Sequence, residues 1–397
     1  MLKNQFALEL QPKEFVRSVN LENLVLQVST KNSYGASCDF IDKIYHRSGS
    51  NCMNRNTLSD HISSVGFKMQ DEMKALSSDI LATNGFSVID SKTQAPSSFK
   101  QDMPYEPENP CELFSESIEK YNQGKAESFQ IKDKNLIQNT ETHPENVVYI
   151  SIDDVGVKHQ KDTRTNGGSK DGKNVENTVI HVDVNGTSSV FTAVGMDKVL
   201  KQLLAWLIST EFIYNKHLIF FSDGASNIRV ALERWFSFVP YQLKLDWYHL
   251  EKHLEESLSM ALVKQFRVDF QKTFFSQLWA GNINEAKTEL ENLRSSKPKE
   301  KKVKNFCKLE EAIAYLERKE PYIDCYALRK ELGYRNSSGP AEKSNDLIVA
   351  NRQKHNGMSW SKSGSGSLAI ISAMQRNGML KTWIKEGSLE SFFKKSA

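Results

Sequence analysis

Several things are scarce in this chain, and each scarcity narrows what it can be. No apolar run approaches the roughly 18 residues that a membrane-spanning helix needs, which excludes a helical membrane protein on sequence grounds. The opening residues, Met1 to Phe6, show no apolar run followed by a small-residue cleavage site, so the expected compartment is the cytoplasm. Cysteine is sparse and odd in number: Cys38, Cys52, Cys111, Cys307 and Cys325. No Cys-x-x-Cys pair occurs, which argues against a zinc ribbon or a redox pair. Cys38 and Cys52 with His46 or His61 leave a mixed metal site open, and isolated thiols are the simpler reading. Charge of one sign is missing as well, the net value being +3. No internal repeat is evident.

What is present is unevenly placed. From Lys343 to Ala397 there are nine Lys or Arg against three Asp or Glu, and Lys297 to Lys304 forms a second basic cluster. Such patches suit phosphate backbones, although solvated helix faces would look the same. Five of the ten prolines (Pro96, Pro104, Pro107, Pro110 and Pro144) fall between residues 88 and 145, which reads as a linker with little core of its own. With 39% hydrophobic and 25% charged residues over 397 positions, the rest has the composition of a soluble protein of two or three domains.

Residues 1–87 read as helices. Phe40, Ile41 and Ile44 recur at helical spacing. Asn56 or Thr57 can cap a second helix striped by Leu58, Ile62 and Val65. Gly66 is expected to break that helix, giving a helix-turn-helix-like DNA-binding segment as one option and plain helical packing as the other. The pattern changes at Val147. Strands are expected at Val147–His159, Thr178–Val184, Ser188–Val194, Leu218–Ser222 and Tyr241–Leu245, with Asn185-Gly186 as a hairpin turn. Helices are expected at Met196–Ser209 and Ser226–Phe236. A polar, Gly-rich loop is expected at 163–174. Residues 248–335 read as all-helical. The fold class is therefore α/β, with a mixed sheet flanked by helices in 146–247, an all-α insertion in 248–335, and a completing segment in 336–397.

Three acids sit on these elements in a telling way. Asp153 lies in an apolar strand, Asp223 ends another before Gly224, and Glu342 lies just inside a helix starting near Pro340. Singly, each has an ordinary reading as a strand end, a turn or a first-turn glutamate. Jointly they could hold two hard divalent cations about 3.5–4 Å apart, which clamp an in-line displacement at phosphorus. Asp154 is the alternative to Asp153, because neighbours in a strand point to opposite faces. His249 and His253 stand at i, i+4 without the glutamate of a His-Glu-x-x-His zinc site, so packing or surface roles are expected.

The segments Ile150-Ser-Ile-Asp-Asp-Val, Phe221-Ser-Asp-Gly-Ala, Leu245-Asp-Trp-Tyr-His-Leu and Ser338-Gly-Pro-Ala-Glu-Lys-Ser-Asn, followed by Arg352 to Trp360, resemble the DDE transposases of bacterial insertion sequences. The nearest look is to the Mutator-like related branch, over roughly residues 147–381. The resemblance implies an RNase H-like catalytic domain, Asp153, Asp223 and Glu342 as catalytic metal ligands, and two Mg²⁺ or Mn²⁺ ions per site. It also implies double-stranded DNA as partner (element terminal inverted repeats and target) and a homodimer or larger assembly on paired ends, nucleoid-associated in a bacterial cytoplasm. Lys343, Arg352, Lys354 and His355 are then expected to face DNA, and Asp246 with His249 to form a supporting motif. Asp154 stands where that family often has glycine, and the paired N-terminal cysteines of some relatives are missing. An RNase H-like nuclease without strand transfer and a non-catalytic DNA-binding protein are the alternatives. An aspartyl-phosphate phosphatase is disfavoured, because Val155 occupies the place of its second acid.

Overall fold

The computed structural model describes residues 18–44, 54–132, 137, 140–160, 173–296, 302–354 and 358–394. A small hairpin, β1 (Ser87–Ile89) with β2 (Lys92–Gln94), precedes the main sheet. That sheet has five strands: β3 (Val147–Lys158), β4 (Asn174–Val184), β5 (Thr187–Val194), β6 (His217–Ser222) and β7 (Tyr241–Leu245). Their order is β5-β4-β3-β6-β7. β3 to β5 pair antiparallel, and β3, β6 and β7 pair parallel. Asn185 and Gly186 both have positive φ, 50° and 80°, as a two-residue hairpin turn requires.

β3 is central and buried on both faces from Val147 to Ile152, which is why its sequence is a continuous apolar run rather than an alternating one. On one face Val148, Ile150 and Phe220 join the main core with the helices Met196–Ser209, Arg55–Thr83 and Lys362–Arg376. On the other, Val147, Tyr149, Ile219 and Phe221 form a smaller cluster. The Arg329 and Arg335 guanidiniums cover it, lying 5.5 Å from the Phe221 ring and 5.4 Å from the Tyr149 ring.

After β7 come the helices Trp247–Ala261, Lys264–Trp279, Ile283–Arg294, Phe306–Lys319 and Tyr326–Glu331, which build a separate apolar cluster around Leu250, Leu254, Leu258, Phe274 and Leu316. These helices fill the stretch that the sequence reads as all-helical. Only an isolated bridge, Leu262 to Val303, interrupts it among the described residues. The insertion is tied back to the sheet by Tyr326, whose buried hydroxyl donates to the Leu245 carbonyl at 2.9 Å.

Two expectations need correcting. Gly66 does not break a helix, because Arg55–Thr83 is continuous through it, with the Asn54 side chain as N-cap. The glycine is there for contact: a Cβ at position 66 would lie 2.4 Å from the backbone of Ser367. The helix-turn-helix option loses its turn, and the helices of 1–87 share the main core with the sheet. Nor is 88–145 a bare linker. Phe99 packs edge-on against Phe86 and Phe238, with ring centroids 5.8 and 5.2 Å apart. Phe114, Ile131 and Ile137 pack against Ala280, Cys325 and Leu328 of the insertion. Further along, the buried Glu141 pairs with Arg329. The segment has no core of its own but completes two others. The expected loop 163–174 lies almost wholly outside the described residues, as do His46 and Cys52.

Candidate metal centre

The register of the two central strands sets the first two acids side by side. β3 and β6 run parallel with Ser151 opposite Phe221. Asp153 and Asp223 each lie two residues further on, at the same level and beyond the end of β6. Asp223 is held in place by its own turn, its Oδ1 accepting from the Ala225 amide at 2.8 Å. Gly224 turns the chain at φ +78°, where a side chain would be strained.

Alternation along β3 separates the two neighbouring acids. Asp153 Oδ2 accepts from Asn345 Nδ2 at 2.5 Å and its Oδ1 from the Asp154 amide at 2.9 Å. Asp154 meets other partners, Thr178 Oγ1 at 2.5 Å and Asn227 Nδ2 at 3.1 Å. Asn345 lies one turn after Glu342 on the helix Gly339–Asn345, so the two share a face. Asp153 therefore looks toward the glutamate helix, and Asp154 toward β4 and the helix Ser226–Phe236. Burial lifts the Asp153 carboxyl to about 6, and the charges of Asp223 and Glu342 add to the rise against the lowering by Asn345. Burial likewise raises Asp154.

Asp246 organises the third acid. It is fully buried at the end of β7. Its Oδ1 caps the helix Trp247–Ala261 by accepting from the His249 amide at 3.0 Å. Its Oδ2 accepts from the amide and hydroxyl of Ser338, the residue that precedes the Glu342 helix. One carboxylate thus pins two helix starts, and the pinning sets His249 beside Glu342. His249 Nδ1 lies 3.3 Å from Asp246 Oδ1 and 3.7 Å from Glu342 Oε1, with no well-directed hydrogen bond to either. Asp246 raises the His249 pKa most, with Glu342 and Asp223 adding, against burial.

Among the described residues, the compact group of metal-ligating atoms is Asp246, His249 and Glu342, all within 4.8 Å of one another. Asp246 is already committed to three donors, so it serves as a brace. Asp153 and Asp223 stand outside that tight group but within electrostatic reach of Glu342 and of each other. Hard carboxylate oxygens from three elements, with Asp223 and Glu342 close enough for their charges to raise the proton affinity of Asp153, are a donor set suited to a hard divalent cation.

The residues expected to face DNA divide. Lys343 and Lys354 are exposed. Arg352 is not available: it is 4% exposed, its guanidinium lies 5.0 Å from both the Tyr34 and Trp360 rings, and it donates to the Ser29 carbonyl at 3.2 Å. It joins the N-terminal helices to the C-terminal segment. His355 lies outside the described residues. Trp360 packs in the core. His253 stacks on Tyr315 at 3.7 Å between centroids, a packing role. Asn345 was missed from sequence, although its i, i+3 spacing from Glu342 was a usable signal. Lys319, which donates to the Gly224 carbonyl, has no local signal.

Residues 125–390, about two thirds of the chain, match the Uncharacterised protein family (UPF0236), and the chain belongs to that family. No curated protein matches it. Among solved structures it is similar to the Drosophila P element transposase strand transfer complex at 11% identity, over 94% of this chain and 88% of that one, with a TM-score of 0.21. At that score the superposition carries no argument about this chain.

Proposed function

We propose that this UPF0236 member is a transposase-like, metal-dependent enzyme that cuts DNA and joins the freed strand end to a target, with Asp153, Asp223 and Glu342 as its metal ligands. The observation that supports this most is the approach of those three acids, from β3, from the turn after β6 and from the helix Gly339–Asn345, beside the end of β6 in the middle of a mixed sheet. An RNase H-like domain is the fold this reading implies, and the half-antiparallel, half-parallel sheet supports it. Mg²⁺ or Mn²⁺, two per site, would supply an activated water and stabilise the charge on the departing 3′-oxygen.

The chain's own residues do the positioning. Asn345 holds Asp153 Oδ2 by a hydrogen bond, leaving its remaining lone pairs for a ligand. The Ala225 amide fixes Asp223. Asp246, through Ser338, fixes the start of the helix that presents Glu342. His249 sets its Nδ1 beside Glu342, 3.7 Å from Oε1. Exposed Lys343, next to Glu342, and Lys354 are the basic groups assigned to the DNA strand. Action at both ends of an element would require at least two such chains.

The test is cleavage and joining of labelled element-end DNA with Mg²⁺ or Mn²⁺, comparing wild type with Asp153→Ala, Asp154→Ala, Asp223→Ala and Glu342→Ala. Loss of joining in the Asp153, Asp223 and Glu342 variants, with Asp154→Ala active, is the expected result. Metal-dependent cleavage without joining would replace the reading by a nuclease. Cleavage that survives all three substitutions would end it.

A further inference from the structure

Beside Asp223 lies a cavity of about 240 Å³ between the turn Ser222–Ser226 and the end of the helix Phe306–Lys319. Its floor is apolar, from Leu243 and Leu245, and its walls carry three cations, Arg229, Arg318 and Lys319. No acidic side chain is among the described residues lining it. Among the described residues the one ion pair of Arg229 is with Glu233, at 3.9 Å within its own helix. Like charges gathered in a partly enclosed space repel, and they persist in a fold where an anion offsets the repulsion.

The placement is fixed. Lys319 Nζ donates to the Gly224 carbonyl, which locks the end of the insertion helix onto the turn bearing Asp223. Gly224 has φ +78°, which strains any side chain, and a Cβ there would stand 2.7 Å from Leu245 Cδ1 and 2.9 Å from Lys319 Nζ, so a larger residue would also displace those two side-chain ends. Burial lowers the Lys319 pKa, with Arg318 and Arg229 adding to the fall and Asp223 opposing it. Lys319 therefore sits in the field of all three of those charges. The helix Ser226–Phe236 also begins here without a side-chain cap, so its first amides add to the positive field.

We propose that this cavity binds a phosphate group, supplied by the DNA strand next to the one cut at the acidic centre. The proposal rests on the strand-cutting reading for the source of the phosphate but not for its chemistry. Arg318 and Arg229 would grip non-bridging oxygens, and Lys319 would keep the cavity registered to Asp223. The insertion then measures the strand: it holds one phosphate at a fixed offset from the metal centre.

The experiment uses the full chain, with exposed Arg318 replaced by Gln and folding checked by thermal melting. Binding of a fluorescein-labelled generic duplex is followed by anisotropy between about 50 and 200 mM salt. The expected result is several-fold weaker binding by Arg318→Gln and a salt slope, log K against log salt, reduced by about 0.9, one phosphate's share. An unchanged slope and affinity beside a DNA-binding wild type would overturn the cavity and leave the strand-cutting reading standing. If wild type binds no DNA, that reading falls, and pyrophosphate decides the cavity. A rise in melting temperature with pyrophosphate, absent in Arg318→Gln, would support a site for a free phosphate compound, and no rise in either protein would overturn the proposal.

Discussion

At the scale of single residues, the decisive quantity is how readily Asp153 gives up its proton. Asp153 titrates at about 6 in the fold against an ordinary 3.8. The folded protein therefore holds more protons than the unfolded chain between those values. Stability of the metal-free protein falls as pH rises through that window and stays lowered above it. Asp153→Asn removes the penalty while keeping the side chain's shape. Urea denaturation in a chelator should show the variant more stable by on the order of 2 kcal/mol near pH 7, with the gain shrinking toward pH 4. Equal stability at pH 7 would contradict a carboxyl raised by burial at Asp153. Sequence supplied the candidates here, since strand alternation required Asp153 and Asp154 to part ways. It could not say which faces Glu342, because that depends on Asn345, 192 positions away. Arg352 was misread for the same reason: its aromatic partner Tyr34 is remote in the chain.

At the scale of elements, what was legible had a local cause. The Asn-Gly turn, the apolar run of β3 and the leucine stripe of Met196–Ser209 all announce themselves within a dozen residues. Gly66 does not. The stripe Leu58, Ile62, Val65 continues through Met69, Met73 and Leu81, all buried. Periodicity alone argued for one helix, whereas glycine's low helix propensity argued for a break. The resolving fact is the close approach of the helix Lys362–Arg376 at Ser367. It yields a prediction of opposite sign to propensity. In an exposed helix, Gly→Ala gains about 1 kcal/mol, whereas Gly66→Ala should lose about 1–3 kcal/mol by overpacking. A denaturant midpoint that rises in Gly66→Ala would refute the contact.

At the scale of the whole molecule, three separate stretches of chain meet in one buried charge network. Glu141 comes from the segment that sequence read as linker, Lys244 from β7, and Asp324 and Arg329 from the insertion. All four are under 6% exposed. Burial pushes the Glu141 carboxyl up, but Lys244 and Arg329 together outweigh it and hold it below the usual range. Glu141→Gln leaves two cations facing one anion, so a loss of about 3–5 kcal/mol in denaturant unfolding is expected. A loss under 1 kcal/mol would mean the network does not join the insertion to the sheet. That junction matters because the sheet supplies Asp153 and Asp223 while the chain leaving the insertion supplies Glu342. The central claim is that these acids form one cation site, and Mn²⁺ titration calorimetry tests it without any DNA. The account predicts measurable binding by wild type and Asp154→Asn, and a loss of at least tenfold in Asp153→Asn, Asp223→Asn and Glu342→Gln. Binding that is absent in wild type, or that survives in Asp153→Asn and fails in Asp154→Asn, would contradict it.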